Sequence, residues 1–189
     1  DGDPNISLAR FGWLCYAIRY GSDPWILIDT GFRDVQLART YELSENVDPL
    51  TLLDARLGIR AADVGTIIVT HHHFDHAGNV HRFLSHALEV YMHVEVADML
   101  RLPENAWDCA GAPDDPERRV CAPSSFPTET ADRSLPARLR KAGVLRTFEG
   151  RWSAPIPLGR DGHHLRIESV GGHAPGSCMV WLHAPGAGD

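Results

Sequence analysis

The chain is expected to fold as packed α/β layers, and three stretches carry that expectation. Residues 66–69, Thr-Ile-Ile-Val, are β-branched and apolar without alternation, as a strand covered on both faces should be. Gly78-Asn79 then opens a stretch in which Val80, Phe83, Leu84 and Ala87 recur at helical spacing. Leu88, Val90 and Met92 alternate as a further strand, and residues 94–102 read as another helix. Strand, helix, strand and helix in that order indicate α/β layers.

The earlier elements follow from local chemistry. Residues 13–20 and 25–29 are β-rich runs separated by Gly21-Ser22-Asp23-Pro24, which predicts a hairpin. Asp29 and Thr30 lie where its second strand ends, and Gly31 supplies permissive backbone there. Residues 34–47 are polar and could form a flap beside a pocket. Asp48-Pro49 starts a helix by capping and first-turn logic, Leu50, Leu53 and Leu57 give it an apolar stripe, and Gly58 ends it.

Beyond the helix at 94–102 the composition changes. Residues 103–136 turn to Pro, Asp, Arg and Ser, which predicts an insertion: a lid that shapes a pocket or a plain surface loop, with Trp107 and Phe126 as its apolar contacts. Residues 137–143 read as a short basic helix, and 145–148, a turn, and 165–170 return to strand character before Gly171-Gly172-His173. Residues 177–184 should form a strand leading away from His173, and 185–188 should turn it back.

With 189 residues and 43% hydrophobic content, the chain can bury one core and is read as a single domain over 1–189. A net charge of −7 argues against a nucleic-acid partner, which usually selects a basic patch. Small molecules fit better. Cys15, Cys109, Cys121 and Cys178 form no C-x-x-C pair, so reduced thiols in a cytoplasmic protein are expected, with a Cys109–Cys121 pairing left open. No run approaches the ~18 apolar residues of a membrane span, and no signal segment opens the chain. A chain that opens on Asp1 rather than Met is expected to have lost its true N-terminus.

The densest chemistry lies directly after the apolar run at 67–69. Residues 70–76, Thr-His-His-His-Phe-Asp-His, spell H-x-H-x-D-H. On backbone that is still extended, residues two apart project to one side, so His71 and His73 can grip one ion while His72 points away. Asp75 and His76 follow where the backbone turns and can serve a second ion, as in two-metal hydrolysis. Imidazole with carboxylate suits zinc best, with iron, nickel or manganese as alternatives. The competing reading, a solvated His cluster or a purification tag, does not explain Phe74 and Asp75 inside an apolar frame. His173, in a turn built from Gly171, Gly172, Pro175 and Gly176, can face the same space.

These stretches resemble the metallo-β-lactamase superfamily. T-H-H-H-F-D-H-A-G-N is similar to its metal-binding signature, and Ile28-Asp29-Thr30-Gly31 upstream and Gly172-His173-Ala174-Pro175-Gly176-Ser177 downstream agree in order. The W-L-C-Y hairpin entering L-I-D-T-G-F looks most like the lactonase branch, which includes acyl-homoserine lactone hydrolases. The resemblance implies an αββα sandwich whose C-terminal part is missing from this chain. It also implies His71, His73 and His173 on a first zinc ion, a three-nitrogen set that leaves one position open for water. Asp75, with His76, would ligate a second zinc and orient the attacking water, and Asp29 and Thr30 would lie beneath the site as support. For Asp29 a simple turn carboxylate is the alternative.

The implied reaction is attack of an activated water on a lactone or related carboxylic ester. Thioester, β-lactam and phosphodiester hydrolysis use the same metal core. A di-iron oxidoreductase branch carries Glu where this chain has His73, a departure that favours zinc. A non-catalytic metal-binding domain is the third reading, and the oligomeric state is left open. Gly188-Asp189 mimics the superfamily's bridging carboxylate, which also follows a Gly. Strand geometry of ~3.3 Å per residue instead puts the turn before Asp189 roughly 25 Å from the metals, so the bridging aspartate is expected about seven residues further on, with the last metal histidine beyond this chain as well.

Overall fold

In the computed structural model the described residues are 14–33, 47–84, 86, 89–100, 109–110, 120–121, 135–159 and 161–186. They form a helical layer, two main sheets and a separate two-stranded ladder. The first sheet begins with the expected hairpin, β1 (Tyr16–Ile18) antiparallel to β2 (Trp25–Ile28). Three parallel neighbours follow: β3 (Val64–Ile68), β4 (Glu89–His93) and β7 (Leu145–Phe148), in the order β1-β2-β3-β4-β7. The second sheet, β8 (Ile156–Pro157), β9 (His164–Ser169) and β10 (Cys178–His183), is antiparallel in the order β10-β9-β8.

Period-two alternation divides the core. Leu27, Ile67, Val90 and Met92 face the helices, where they meet Leu53 of α1 (Pro49–Leu57), Val96 and Ala97 of α3 (Val94–Met99), and Leu135 and Leu139 of α4 (Leu135–Lys141). Ile26 and Ile68 face the other way, onto Ile156, Leu165 and Ile167 of the second sheet. The first sheet is thus buried on both faces, which is why residues 66–69 read as an unbroken apolar run. Every described helix packs on the first sheet. No described helix covers the outer face of the second, where Met179 and Trp181 are exposed.

Capping logic holds for α1: Asp48 Oδ1 accepts from the Leu50 N–H at 3.2 Å, Pro49 takes the first turn, and Gly58 at φ 65° closes it. Its stripe is narrower than expected, because Leu53 is buried whereas Leu57 is 61% exposed. The helix expected from Gly78 is also different. A single α-turn, α2 (Phe74–Ala77), comes first, and a 3₁₀ turn spans Val80–Phe83. The His76 carbonyl accepts from the Thr30 N–H at 2.8 Å and the Thr30 hydroxyl at 3.0 Å, so it does not receive the N–H four residues on. The Asn79 N–H is diverted to Gly31 O at 3.1 Å, and the helix breaks there.

Several boundaries shift. β1 is shorter than residues 13–20, and β8 was not anticipated. The basic helix starts at Leu135, so the last two residues of the supposed insertion are buried helix. Within that insertion a two-residue ladder, β5 (Cys109–Ala110) with β6 (Val120–Cys121), sets Cys109 opposite Cys121. Trp107, Phe126, residues 34–46 and Asp189 lie outside the described residues. No described helix is long and apolar enough to cross a membrane.

Candidate metal centre

Strands β2, β3 and β4 run parallel, so their C-terminal ends share one edge, where ligands collect in open α/β sheets. Asp29 follows β2, Thr70 and His71 follow β3, and His93 ends β4. His173 arrives from the second sheet, in the turn between β9 and β10. The Cys178 N–H, at the start of β10, donates to Thr70 O at 2.9 Å and ties that turn to the first sheet.

Three ring nitrogens converge at this edge. His71 Nε2 lies 3.1 Å from His73 Nδ1, and His173 Nε2 lies 3.0 Å from the same atom. Among the described residues His71, His73 and His173 form a group whose ligand atoms all lie within 4.8 Å of one another and could hold a metal ion. The donors fit such an ion: bonds of about 2.0–2.1 Å in tetrahedral geometry would separate ligand nitrogens by about 3.3 Å. Protonation also suits it. Burial, helped by the neighbouring imidazoles, brings His71 down to about 2 and His73 down to about 4, so both rings are neutral at pH 7 with lone pairs to give.

Beside the triad, Asp75 and His76 pair with each other rather than joining it. His76 Nε2 lies 3.3 Å from Asp75 Oδ2, and His76 Nδ1 lies 2.7 Å from Asp29 Oδ2. Burial opposes a charged His76, but hydrogen bonds to Asp29 and Asp75 outweigh it and raise the ring to about 9. Burial likewise opposes the Asp75 carboxylate, and the hydrogen bond from His76 reverses that, leaving its pKa below the usual value.

Asp29 is the hub of this arrangement. It is buried, at φ 61°, and its carboxylate accepts from the Thr70 N–H at 2.8 Å, the Thr70 hydroxyl at 2.7 Å and His76. A non-glycine residue at positive φ held by three hydrogen bonds is strain fixed by its surroundings. The Thr70 oxygen also sits 3.2 Å from His71 Nδ1. With its own proton on Asp29 it accepts from that nitrogen, which leaves His71 Nε2 bare toward the triad. Reading the sequence did not find this role for Thr70, and a hydroxyl beside a ligand histidine was the available signal.

A family model described as the metallo-beta-lactamase superfamily matches residues 12–189. The chain belongs to the metallo-β-lactamase superfamily. A curated relative, the metallo-hydrolase mfmC of Annulohypoxylon moriforme, is 34% identical over 82 residues, covering 36% of this chain and 22% of that protein. Among solved structures, the subclass B3 metallo-β-lactamase MEM-A1 from a soil metagenome library superposes with a TM-score of 0.53 at 19% identity, over 93% of this chain and 53% of that one. BJP-1 of Bradyrhizobium japonicum, also subclass B3, gives 0.52 at 19% identity over 89% and 49%. At that identity the likeness shows the metallo-β-lactamase fold alone. This superfamily chain spans about half the length of the solved structures it matches.

The remaining candidates take other places. The Cys178 thiol, pushed up to about 12 chiefly by burial, donates to Gly176 O at 2.9 Å and stays outside the triad. His72 is buried, and burial keeps it neutral, at about 3. His93 caps α3 by accepting from the Glu95 N–H at 3.3 Å. His164 and His183 stack face to face across β9 and β10, 4.8 Å apart.

Proposed function

We propose that this chain carries the metal-binding part of a zinc-dependent hydrolase that opens a lactone or a closely related carboxylic ester. The convergence of His71 Nε2, His73 Nδ1 and His173 Nε2 from two sheets supports it, because three imidazole ligands leave a fourth tetrahedral position open. Zinc bound there would supply an acidified water and polarise the substrate carbonyl. The chain's own residues do the rest. His71, His73 and His173 would hold the ion, with Thr70 keeping the His71 lone pair aimed at it. Asp75, beside the triad, would orient the attacking water and, with His76 once the ion has displaced its Nε2 proton, hold a second zinc. Asp29 keeps His76 turned so that Nε2 faces Asp75. The W-L-C-Y hairpin leading into Asp29-Thr30-Gly31 supports a lactone over other acyl substrates.

The test is metal content with side-by-side turnover of a lactone, a thioester, a β-lactam and a phosphodiester, on the chain in its full natural length. The lactone should turn over best, and Asp75→Asn should keep the first metal while losing about 10²-fold or more in kcat, the scale of removing one general acid–base group. Full activity in metal-replete Asp75→Asn would sink its assigned role, and preference for another substrate would move the protein to another branch. Metal uptake without turnover of any substrate would favour a binding domain.

A further inference from the structure

The turn that carries His173 is held almost entirely from its downstream side. Gly171 and Gly172, just before the histidine, have positive φ and open space around them, and His173 itself is exposed. After it the chain is closed tightly. The Ala174 N–H donates to Ser177 Oγ at 3.0 Å, the Ser177 N–H returns to Ala174 O at 3.1 Å, and the Val170 and Gly171 N–H groups both reach Ser177 O.

Gly176 sits at the tip of this closure with no slack. A Cβ built on it would lie 2.9 Å from His93 Nδ1, 3.1 Å from Glu95 Cβ and 3.1 Å from Val96 Cγ2. Those neighbours cannot easily give way. His93 is buried at the end of β4, with its ring edge-on to Phe148 and its Nδ1 capping α3, and Val96 is fully buried. We propose that this corner between β4 and α3 is a positioning seat: Gly176 docks on His93, Glu95 and Val96, and that docking sets where His173 Nε2 lies relative to His71 and His73. The inference rests on the reading of those three histidines as a metal site.

The experiment is Co(II) titration of the metal-free full chain, followed by visible absorption, with folding checked by circular dichroism. Gly176→Ala should bind Co(II) about 10–100-fold more weakly, the usual cost of disturbing a residue that supports a ligand. Gly150→Ala imposes the same positive-φ strain at φ 74° with nothing within 4 Å, and should bind as the parent does. Val96→Ala added to Gly176→Ala should restore part of the affinity by making room. Should Gly176→Ala not fold, Val96→Leu presses on the same contact from the helix and should weaken binding in the same direction. A folded Gly176→Ala within twofold of the parent overturns the seat, as does equal weakening by Gly150→Ala. A parent that takes up no Co(II), or that binds no better than His173→Ala, overturns the metal reading and the seat with it.

Discussion

Replacing Asp29 should damage the fold before it damages any chemistry. Asp29→Ala removes the acceptor of three hydrogen bonds at 2.7–2.8 Å and leaves the Thr70 N–H and hydroxyl without that partner. Three bonds to a carboxylate at about 1.5–3 kcal/mol each, and about 1 kcal/mol for alanine at φ 61°, together give about 5–10 kcal/mol. That approaches the whole stability of an ordinary domain, about 5–15 kcal/mol. Asp29→Gly loses the same bonds but accepts the backbone, so it should be about 1 kcal/mol less destabilised than Asp29→Ala. Asn tolerates positive φ and keeps one acceptor oxygen, so Asp29→Asn should fall between Asp29→Gly and the parent. Urea unfolding of the metal-free protein at pH 7, extrapolated linearly, measures all three. A loss below about 2 kcal/mol in Asp29→Ala would refute the hub, and Asp29→Gly no better than Asp29→Ala would refute the strain.

The metal-free protein should be most stable near pH 6.5–7, as read by urea midpoints in chelator. His71 and His73 have folded values of about 2 and about 4, so the unfolded chain binds more protons below its ordinary 6.5 and stability falls on acidification. His76 is raised to about 9, so its contribution is complete below 6.5 and is lost as pH climbs through 9; His76→Gln should remove that alkaline decline. In the core, Ile67→Ala should cost about 2–5 kcal/mol by denaturant unfolding. Leu57→Ala, on the supposed stripe but 61% exposed, should change stability by less than about 0.5 kcal/mol.

What could be read from the sequence was what is local. Asp48, Pro49 and Gly58 mark the ends of α1 because capping involves residues within a turn of one another. The His71–His76 cluster was legible because so many ligand types in six positions have few other uses. The break between Ala77 and Val80 was not. It depends on Thr30, forty-six residues upstream, taking the His76 carbonyl, and apolar spacing alone cannot tell an α-helix from a 3₁₀ turn. Leu57 was misplaced because spacing gives a face but not the direction in which a helix meets the sheet. β8 is two residues long and ends in Pro157, too little pattern to register. The His93 corner was invisible because His93 and Gly176 meet only when the two sheets are stacked.

The triad draws two of its rings from the end of β3 and the third from a turn of the other sheet. An ion gripped by all three would therefore act as a rivet. It would join positions 71 and 173 as a cross-link does, shutting a long stretch of chain into one loop and taking freedom from the unfolded state. Loading the site should then slow amide exchange in β9 and β10, far along the strands from any ligand atom, more than in β3, which its neighbours on both sides already hold. The gap between the two sheets would itself become something that metal concentration adjusts.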